Sequence, residues 1–219
     1  MDVREAVEQR TSIRAFTPHP VPQEVIRRLL AEAGRAPSGG NLQPWVVHVL
    51  AGPALDALKR QAQAHPAGET PEYEVYPAGL WDPYRRRRFE CGEDLYATVG
   101  VRREDRSARL GWFRRNATLF DAPVGLFFCI DRRLGPPQWA DLGMVMQTIM
   151  LLATEAGLAT CAQEYWSRYP RTLAGLLGLP AEQMVFAGMA LGWPDAGHPM
   201  NTLRTRREAL DGWATFHGF

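Results

Sequence analysis

Two arginines with hydroxyl side chains between them stand near the start of the chain, in the segment Arg10-Thr11-Ser12-Ile13-Arg14. An arginine supplies a positive charge and a planar fork of donors, and a serine or threonine adds a neutral donor. This combination suits a phosphate group. For this segment taken alone, however, a solvated helix end with incidental arginines is the favoured interpretation.

A second segment contains the densest set of backbone-shaping residues, Pro37-Ser38-Gly39-Gly40-Asn41-Leu42-Gln43-Pro44-Trp45. Proline fixes φ, and glycine allows φ values that other residues avoid. The short polar side chains of Ser38, Asn41 and Gln43 can bond a heterocycle or their own backbone. Apolar residues follow at once and predict a buried strand over 45–50. The loop could therefore approach a flat ligand, or it could be an ordinary helix-to-strand connection.

Other familiar catalytic patterns are missing from the sequence. The histidines are scattered without the spacing of metal ligands. There is no G-x-S-x-G, no Walker lysine and no G-x-G-x-x-G after a strand. If the chain is an enzyme, its difficult chemistry is expected to reside in a cofactor.

Read together, the two segments closely resemble the nitroreductase family of FMN-dependent oxidoreductases. The resemblance recurs in Met189-Ala190-Leu191-Gly192-Trp193-Pro194-Asp195 and in Asn201-x-x-Arg204-x-Arg206. It implies an α+β fold: a three-layer sandwich in which helices flank a central, mostly antiparallel sheet, assembled as an intertwined homodimer. Residues 1–219 are expected to form a single domain, with a helical excursion at about 66–118 and a C-terminal arm at about 205–219.

The resemblance also implies which residues hold the FMN phosphate. Arg10 and Ser12 would bind it, and Thr11 would lend backbone contacts. Arg204 and Arg206 would reach in from the C-terminal segment. The phosphate carries about two negative charges and needs several donors or cations, which this set supplies.

Further residues are implied for the flavin ring. Arg14 would lie near its pyrimidine side, where a cation stabilises the negative charge of the reduced ring. The loop residues Pro37, Ser38, Gly39 and Asn41 would line the flavin from the opposite subunit. Gln163, Glu164 and Tyr165 would pass by flavin N5, with the backbone N–H of Tyr165 bonding that atom.

The implied reaction is a ping-pong exchange in which NADH or NADPH passes a hydride to flavin N5 and an oxidised acceptor then takes the electrons. No catalytic side chain is required, because the chemistry occurs on the flavin. Nitroaromatics are the typical acceptors of the family, with quinones next, and the segments 95–100 and 138–143 look most like its nitrobenzoate-reductase branch. The candidates for contacts with a small aromatic substrate are Trp45, Tyr96, Trp112 and Trp166.

Two other interpretations of the family resemblance stay open. The chain could be a family flavoenzyme with a different reaction, such as enone reduction or reductive dehalogenation. It could also be a flavin-binding protein without catalytic activity. The sequence does not decide the physiological acceptor, the preference between NADH and NADPH, or the reactivity with oxygen.

The composition of the chain indicates which classes of binding partner and which cellular compartment to expect. Of the 219 residues 46% are apolar and the net charge is +1, so no overall field points to nucleic acid or a membrane. The run Arg85–Arg88 has no aromatic stacking pattern beside it that would favour nucleic acid. Three well-separated cysteines indicate free thiols. The charged N-terminus and the lack of an apolar stretch of ~18 residues predict a cytoplasmic protein.

Hydrophobic periodicity predicts the main elements. Strands are expected at 45–50, 123–130, 158–164 and 184–191, and helices at 2–10, 22–33, 92–118 with a break around Gly100, 138–156 and 170–177, with another opened by Pro53. Residues 65–83 predict an irregular segment. The helix at 138–156 is apolar nearly all round, so it needs cover from the core or from a second subunit. The aromatic tail, 213–219, is expected to lie on a partner subunit as a strand or arm.

Overall fold

A computed structural model describes all of residues 1–219. Its helices are α1 (Val3–Gln9), α2 (Gln23–Ala33), α3 (Gly52–Ala64), α4 (Tyr84–Ala97), α5 (Arg106–Arg114), α6 (Pro136–Glu155) and α7 (Pro170–Leu177). Its strands are β1 (Val46–Ala51), β2 (Val124–Asp131), β3 (Ala159–Gln163) and β4 (Gln183–Gly192). The predicted α+β class is confirmed. No helix is both long and apolar enough to span a bilayer.

The four strands form one sheet in the order β1-β2-β4-β3, and every neighbouring pair is antiparallel. Strand β2 lies in the interior of the sheet and is buried from Val124 to Ile130, as its continuous apolar run predicts. Strand β1 was expected to be buried, but it lies at the sheet edge and is only partly covered. An apolar run alone does not tell an edge strand from a central one.

Side chains that alternate along β2 supply two separate cores. Phe127 and Cys129 join the cluster that also contains buried residues of α3 and α7. Leu126 and Phe128 join the cluster built with α2 and α6. Because successive residues of a strand point to opposite faces, one strand serves both cores. The result is the expected three-layer sandwich of helices, sheet and helices.

Strand β4 leaves room for a large aromatic side chain. A Cβ atom at Gly188 would lie 2.3 Å from Cδ1 of Trp166. Trp166 is therefore seated directly on the strand, with 0% of its surface exposed and its ring edge-on to Phe127. The prediction that Trp166 contacts the substrate is wrong, because this side chain is sealed inside a core.

The helix predicted at 92–118 begins earlier in the structure than expected. Helix α4 begins at Tyr84, directly after Pro83, rather than near residue 92, so it includes the four consecutive arginines. The predicted break around Gly100 is confirmed, since α4 ends at Ala97 and α5 begins at Arg106. Two bonds of 2.6 and 2.8 Å from Arg109 to Glu93 join the two helices. The irregular segment 65–83 contains neither helix nor strand, as predicted.

The C-terminal segment forms no strand in the chain. After β4 it contains only two short 3₁₀ helices, Pro199–Thr202 and Leu210–Gly212. Several aromatic side chains of the tail are exposed, including Trp213 and Phe219. The segment therefore has the extended, uncovered character of an arm.

Candidate active site

The Arg10–Arg14 segment is held along the edge of the sheet. It leaves α1 at Arg10 and forms a parallel bridge between Ser12 and Thr160 of β3. The N–H of Ile13 donates to the carbonyl of Thr160 over 3.0 Å. The segment acts as a short additional strand, which fixes the directions of its polar side chains.

The side chain of Asn201 ties the C-terminal segment to this edge. Its Oδ1 accepts from the N–H of Arg14 at 2.9 Å, and its Nδ2 donates to the carbonyls of Ala15 at 2.9 Å and Asp195 at 2.8 Å. These three hydrogen bonds of the Asn201 side chain bring Arg204 and Arg207, which follow it in the sequence, beside Arg10. The sequence pattern contained Asn201, but its type alone gave no role to it.

The two segments enclose a cleft of about 430 Å³, here called the cationic cleft. Its wall includes Arg10, Thr11, Ser12, Arg14, Leu203, Arg204, Thr205 and Arg207. None of its four arginines forms a salt bridge with a carboxylate. Burial, and then the neighbouring charge of Arg207, lower the pKa of Arg10. The wall also contains one carboxylate, Glu8, so the four arginines leave the cleft with an excess of positive charge. Such an excess is suited to bind an anion.

The structure places Arg207 in the cationic cleft, a residue to which the sequence gave no role, and places the predicted Arg206 outside it. Arg207 lines the cationic cleft, whereas Nη2 of Arg206 lies 2.9 Å from Oδ2 of Asp94, outside this cleft. Residues 203–209 form neither a helix nor a strand, so no helical or strand periodicity determines which of the two arginines lines the cleft. Tertiary contacts determine it instead. The pair of Arg206 with Asp94 is exposed. Exposed pairs of this kind are weak, so an anion in the cleft can compete for Arg206.

An aromatic cavity of about 200 Å³ adjoins the cationic cleft, and Arg14 lines both. Its wall is formed by Arg14, Leu95, Tyr96, Trp112, Phe113, Asn116, Phe120 and Met200. The substrate candidates Tyr96 and Trp112 are thus brought together, although they come from different helices. Flat rings beside one cation suit an aromatic ligand that carries or gains negative charge.

The segment at the end of β3 supports this cavity from behind. The amide of Gln163 donates to the backbone carbonyl and to Oδ1 of Asn116, over 3.1 and 2.9 Å, so it positions Asn116 in the cavity wall. The ring of Tyr165 packs against Phe113 at 5.6 Å.

In Tyr165 the backbone N–H, rather than the phenol, is the group suited to bond a ligand. Burial, and then its hydrogen bond with the hydroxyl of Tyr169, raise the pKa of Tyr165. The phenol is therefore protonated and already bonded at neutral pH. Its backbone N–H, by contrast, belongs to the first turn of the 3₁₀ helix Glu164–Arg168. N–H groups at the start of a helix lack partners within the helix.

The loop of residues 37–43 lies apart from both cavities. The residues Gly40, Asn41 and Gln43 have positive φ values of 57°, 57° and 49°. Oγ of Ser38 accepts from the N–H of Gln43 at 2.9 Å. The N–H of Gly39 donates over 3.2 Å to Oδ1 of Asp141, a 4% exposed residue of α6.

Within one chain the loop therefore does not meet Arg10. Most of its residues are exposed, and none lines the cationic cleft or the aromatic cavity. Trp45 packs against the core cluster of α2 and α6, so it does not join Tyr96 and Trp112. Asp141, which holds the loop, lies in the segment 138–143 that carries part of the family resemblance, but the sequence gave no role to this residue.

Comparison with known proteins identifies the class to which this fold and this site belong. The model of the nitroreductase family matches residues 7–193, and the chain belongs to this family. It is 37% identical to the nitrobenzene nitroreductase of Ectopseudomonas oleovorans, over 98% of this chain and 96% of that protein. It is 36% identical to the 4-nitrobenzoate reductase of Pseudomonas putida, over 100% of this chain and 96% of that protein.

Solved structures agree with the fold. The FMN and NADPH-dependent nitroreductase NfnB from Sphigopyxis sp. strain HMH superposes with a TM-score of 0.97 and 43% identity, with both chains fully covered. The FMN-dependent NfnB from Mycobacterium smegmatis, solved in complex with NADPH, gives a TM-score of 0.91 at 30% identity, over 98% of this chain and 97% of that one.

Proposed function

We propose that the chain is an FMN-dependent oxidoreductase that uses NADH or NADPH to reduce nitroaromatic or quinone-like acceptors. The observation that carries this proposal is the cationic cleft, with four arginines free of carboxylate partners, opening beside an aromatic cavity. The comparisons support it, because nitrobenzene and nitrobenzoate reductases match almost the whole chain.

The residues present fit a phosphorylated flat cofactor. Arg10, Arg204 and Arg207 would hold the FMN phosphate, with neutral donors from Ser12 and Thr11. Arg206 would add to them by leaving its weak pair with Asp94. When bound, FMN supplies the two-electron hydride chemistry that the side chains of this site lack.

Other residues would position the flavin ring. Arg14 stands between the cationic cleft and the aromatic cavity, so its charge would favour the reduced, anionic ring. The backbone N–H of Tyr165, next to Glu164, would bond N5. The loop residues Pro37, Ser38, Gly39 and Asn41 would complete the site from the partner subunit, since they do not reach it within their own chain.

The aromatic cavity would receive the acceptor. Tyr96 and Trp112 present flat faces that orient an aromatic ring and exclude water from it. The phenol of Tyr165 is bonded to Tyr169 and is no proton donor to this cavity. Protons would come from solvent or from a group of the flavin.

A homodimer, located in the cytoplasm, completes this proposal. Met144 on α6 and the aromatic tail residues Trp213 and Phe219 are exposed, and these apolar surfaces need cover. Light scattering at micromolar concentration is expected to give twice the 24.6 kDa mass of the chain. A monomer mass would contradict the shared site.

The decisive test of the function is spectroscopic. Purified protein, supplied with FMN, is expected to be yellow, with absorption bands near ~370 and ~450 nm. NADH or NADPH should bleach these bands without oxygen, and a nitroarene should restore them. Protein that takes up no FMN would overturn the proposal. Restoration by enones or halophenols but by no nitroarene would indicate a different reaction of the same family.

A further inference from the structure

One buried amide, that of Gln163, connects the wall of the aromatic cavity to the segment proposed for flavin N5. Gln163 is the last residue of β3 and only 4% exposed, and Glu164 and Tyr165 follow it directly. Its amide nitrogen donates to the backbone carbonyl and to Oδ1 of Asn116, over 3.1 and 2.9 Å. Asn116 stands in the cavity wall. A single side chain therefore joins two parts of the proposed site that are 47 positions apart in the sequence.

The chemistry of its partners fixes the direction of the Gln163 amide. A backbone carbonyl only accepts hydrogen bonds, so the nitrogen of Gln163 faces Asn116. An indole N–H only donates, and Nε1 of Trp166 lies 3.4 Å from Oε1 of Gln163. Trp166 is itself immobilised, because its ring lies where a Cβ atom of Gly188 would be. The amide thus has one orientation and a rigid support.

Asn116 extends this connection to the aromatic part of the cavity wall. Its Nδ2 donates to the backbone carbonyl of Phe113 over 2.8 Å. Phe113 lines the cavity, and its ring lies 5.6 Å from that of Tyr165. The wall formed by residues 113–120 is therefore attached to the 163–165 segment by a chain of hydrogen bonds and by a ring contact.

The end of this wall has an unfavourable backbone conformation. Leu119, Phe120 and Asp121 have φ values of 53°, 55° and 67°, which residues with a Cβ atom rarely adopt. Phe120 lines the aromatic cavity, and Leu119 is fully buried. Consecutive residues in this conformation persist only where surrounding contacts fix them. The two bonds from Gln163 to Asn116, shortly before this turn, are contacts of that kind.

We propose that Gln163 is a positioning residue of the acceptor site, which keeps the 113–120 wall at a fixed distance from the 163–165 segment. This inference rests on the proposed function, because it requires an acceptor that binds between the aromatic wall and the flavin. Gln163 itself lines neither the aromatic cavity nor the cationic cleft, so it acts through Asn116. Its loss should weaken the binding of the acceptor and leave the phosphate site unchanged.

The test measures how fast nitrobenzene reoxidises the reduced, FMN-loaded protein in anaerobic stopped flow. Gln163→Met keeps an unbranched side chain of similar length but removes the donor. We expect the nitrobenzene concentration for half-maximal rate to rise about tenfold, the upper range for one lost hydrogen bond. The limiting rate and the affinity for FMN should change by less than about twofold. An unchanged half-maximal concentration would overturn the proposal.

Gln163→Glu provides a rescue that depends on pH. A carboxyl group in this position would face two oxygens of Asn116 and little water, so its pKa should lie above the usual value for glutamate. Below that pKa its O–H can donate to Asn116, and above it no donor is present. The half-maximal concentration, relative to wild type, should be near normal at about pH 5 and raised at about pH 9.

The groups around residue 163 make this rescue specific. Asn116 and Trp166, which bond its side chain, do not titrate in this range. The carboxylate of Glu164 is exposed and is present in both proteins, so comparison with wild type cancels its titration. A ratio to wild type that does not change with pH would contradict the role of the donor.

The matched control is Thr172→Val. The hydroxyl of Thr172 donates to Glu69 over 2.7 Å, but Thr172 belongs to α7 and does not line the aromatic cavity. Its replacement also removes one hydrogen bond and should leave the half-maximal concentration unchanged. If Thr172→Val and Gln163→Met gave the same increase, general loss of stability would explain it, and the proposal would fail.

Hydrogen exchange of the protein without substrate provides a readout that does not depend on activity. The amides of residues 113–121 should exchange faster in Gln163→Met than in wild type, because the wall loses its attachment. Thr172→Val should leave this segment unchanged. Equal exchange in all three proteins would refute the positioning role and leave the proposed function intact. Absence of flavin bleaching by both NADH and NADPH would instead refute the proposed function.

Discussion

The Arg10–Arg14 segment and the 37–43 loop were both predicted to hold one cofactor, yet their structural settings are opposite. The first is bound to the sheet through Thr160 and meets the C-terminal arginines within the same chain. The second is exposed, faces neither cavity and is held to α6 through Asp141. The charged half of the proposed site is thus assembled within one chain, whereas the proposal assigns the neutral half to a second copy.

This difference separates two kinds of contribution. The charged half should determine affinity, because charge-assisted hydrogen bonds are about twice as strong as neutral ones. The loop half should act through shape, since three positive φ values give it a backbone path that few sequences adopt. Variants in the charged half should therefore change mainly the affinity for FMN and its dependence on salt. Variants in the loop should change mainly the free energy of unfolding.

The largest effect is expected for Arg10→Ala. Loss of one charge-assisted phosphate contact should cost about 1.5–3 kcal/mol, or a roughly 10- to 100-fold weaker affinity for FMN. Fluorescence titration of FMN into the apoprotein measures it. Arg4→Ala removes an exposed arginine of α1 and serves as the control. An unchanged affinity in Arg10→Ala would place the phosphate elsewhere.

Gly40→Ala tests the shape of the loop. At φ 57° a residue with a Cβ atom costs roughly 1–2 kcal/mol, even though the surrounding space is open. We expect a loss of this size in the free energy of unfolding by urea, without FMN. Gly39→Ala also has open space but no positive φ, so it should cost less. Equal losses would show that φ is not the constraint.

Asp141→Ala removes the anchor of the loop while leaving its own residues intact. The N–H of Gly39 would lose its acceptor, at a cost of about 0.5–1.5 kcal/mol. We expect FMN affinity to fall several-fold, as measured by the same titration. Asp141→Asn keeps an oxygen for this bond and should bind FMN more tightly than the alanine variant. Tighter FMN binding by the alanine variant than by the asparagine variant would show that Asp141 does not act through its bond to the loop.

Salt dependence gives the smallest effect and the sharpest distinction between the halves. FMN affinity should fall a few-fold between about 0.05 and 0.5 M salt, because the Debye length shortens over this range. The slope should become shallower in Arg10→Ala and remain unchanged in Gly40→Ala. If the salt dependence of FMN affinity also changed in Gly40→Ala, the loop would contribute to the electrostatic binding, which contradicts the division into a charged half and a neutral half.

The layered architecture was implied by the family resemblance, whereas the separate helices and strands were predicted from long hydrophobic patterns. Strand β2 and helix α6 were recognisable in this way, and both contribute buried residues to the core. The start of α4 was misplaced, because its first residues are arginines without an apolar stripe. Burial of β1 was overestimated, since edge position depends on strand order rather than on local composition.

The site was predicted less completely, for reasons of tertiary geometry. Residue types indicated a cationic site, but they could not tell that Arg207 rather than Arg206 lines the cleft. Trp166 was predicted to contact the substrate, but its indole fills a core against Gly188 of β4, which lies 22 positions further along the chain. The role of Asp141 depends on a contact between residues that are 102 positions apart.

The cationic cleft joins residue 10 to residue 207, and this span has a consequence for biosynthesis. Residue 207 must leave the ribosome before the two ends of this span can meet. A nascent chain that still lacks Arg207 therefore lacks one wall of the cleft, and the proposed phosphate site should form only after synthesis has passed this residue.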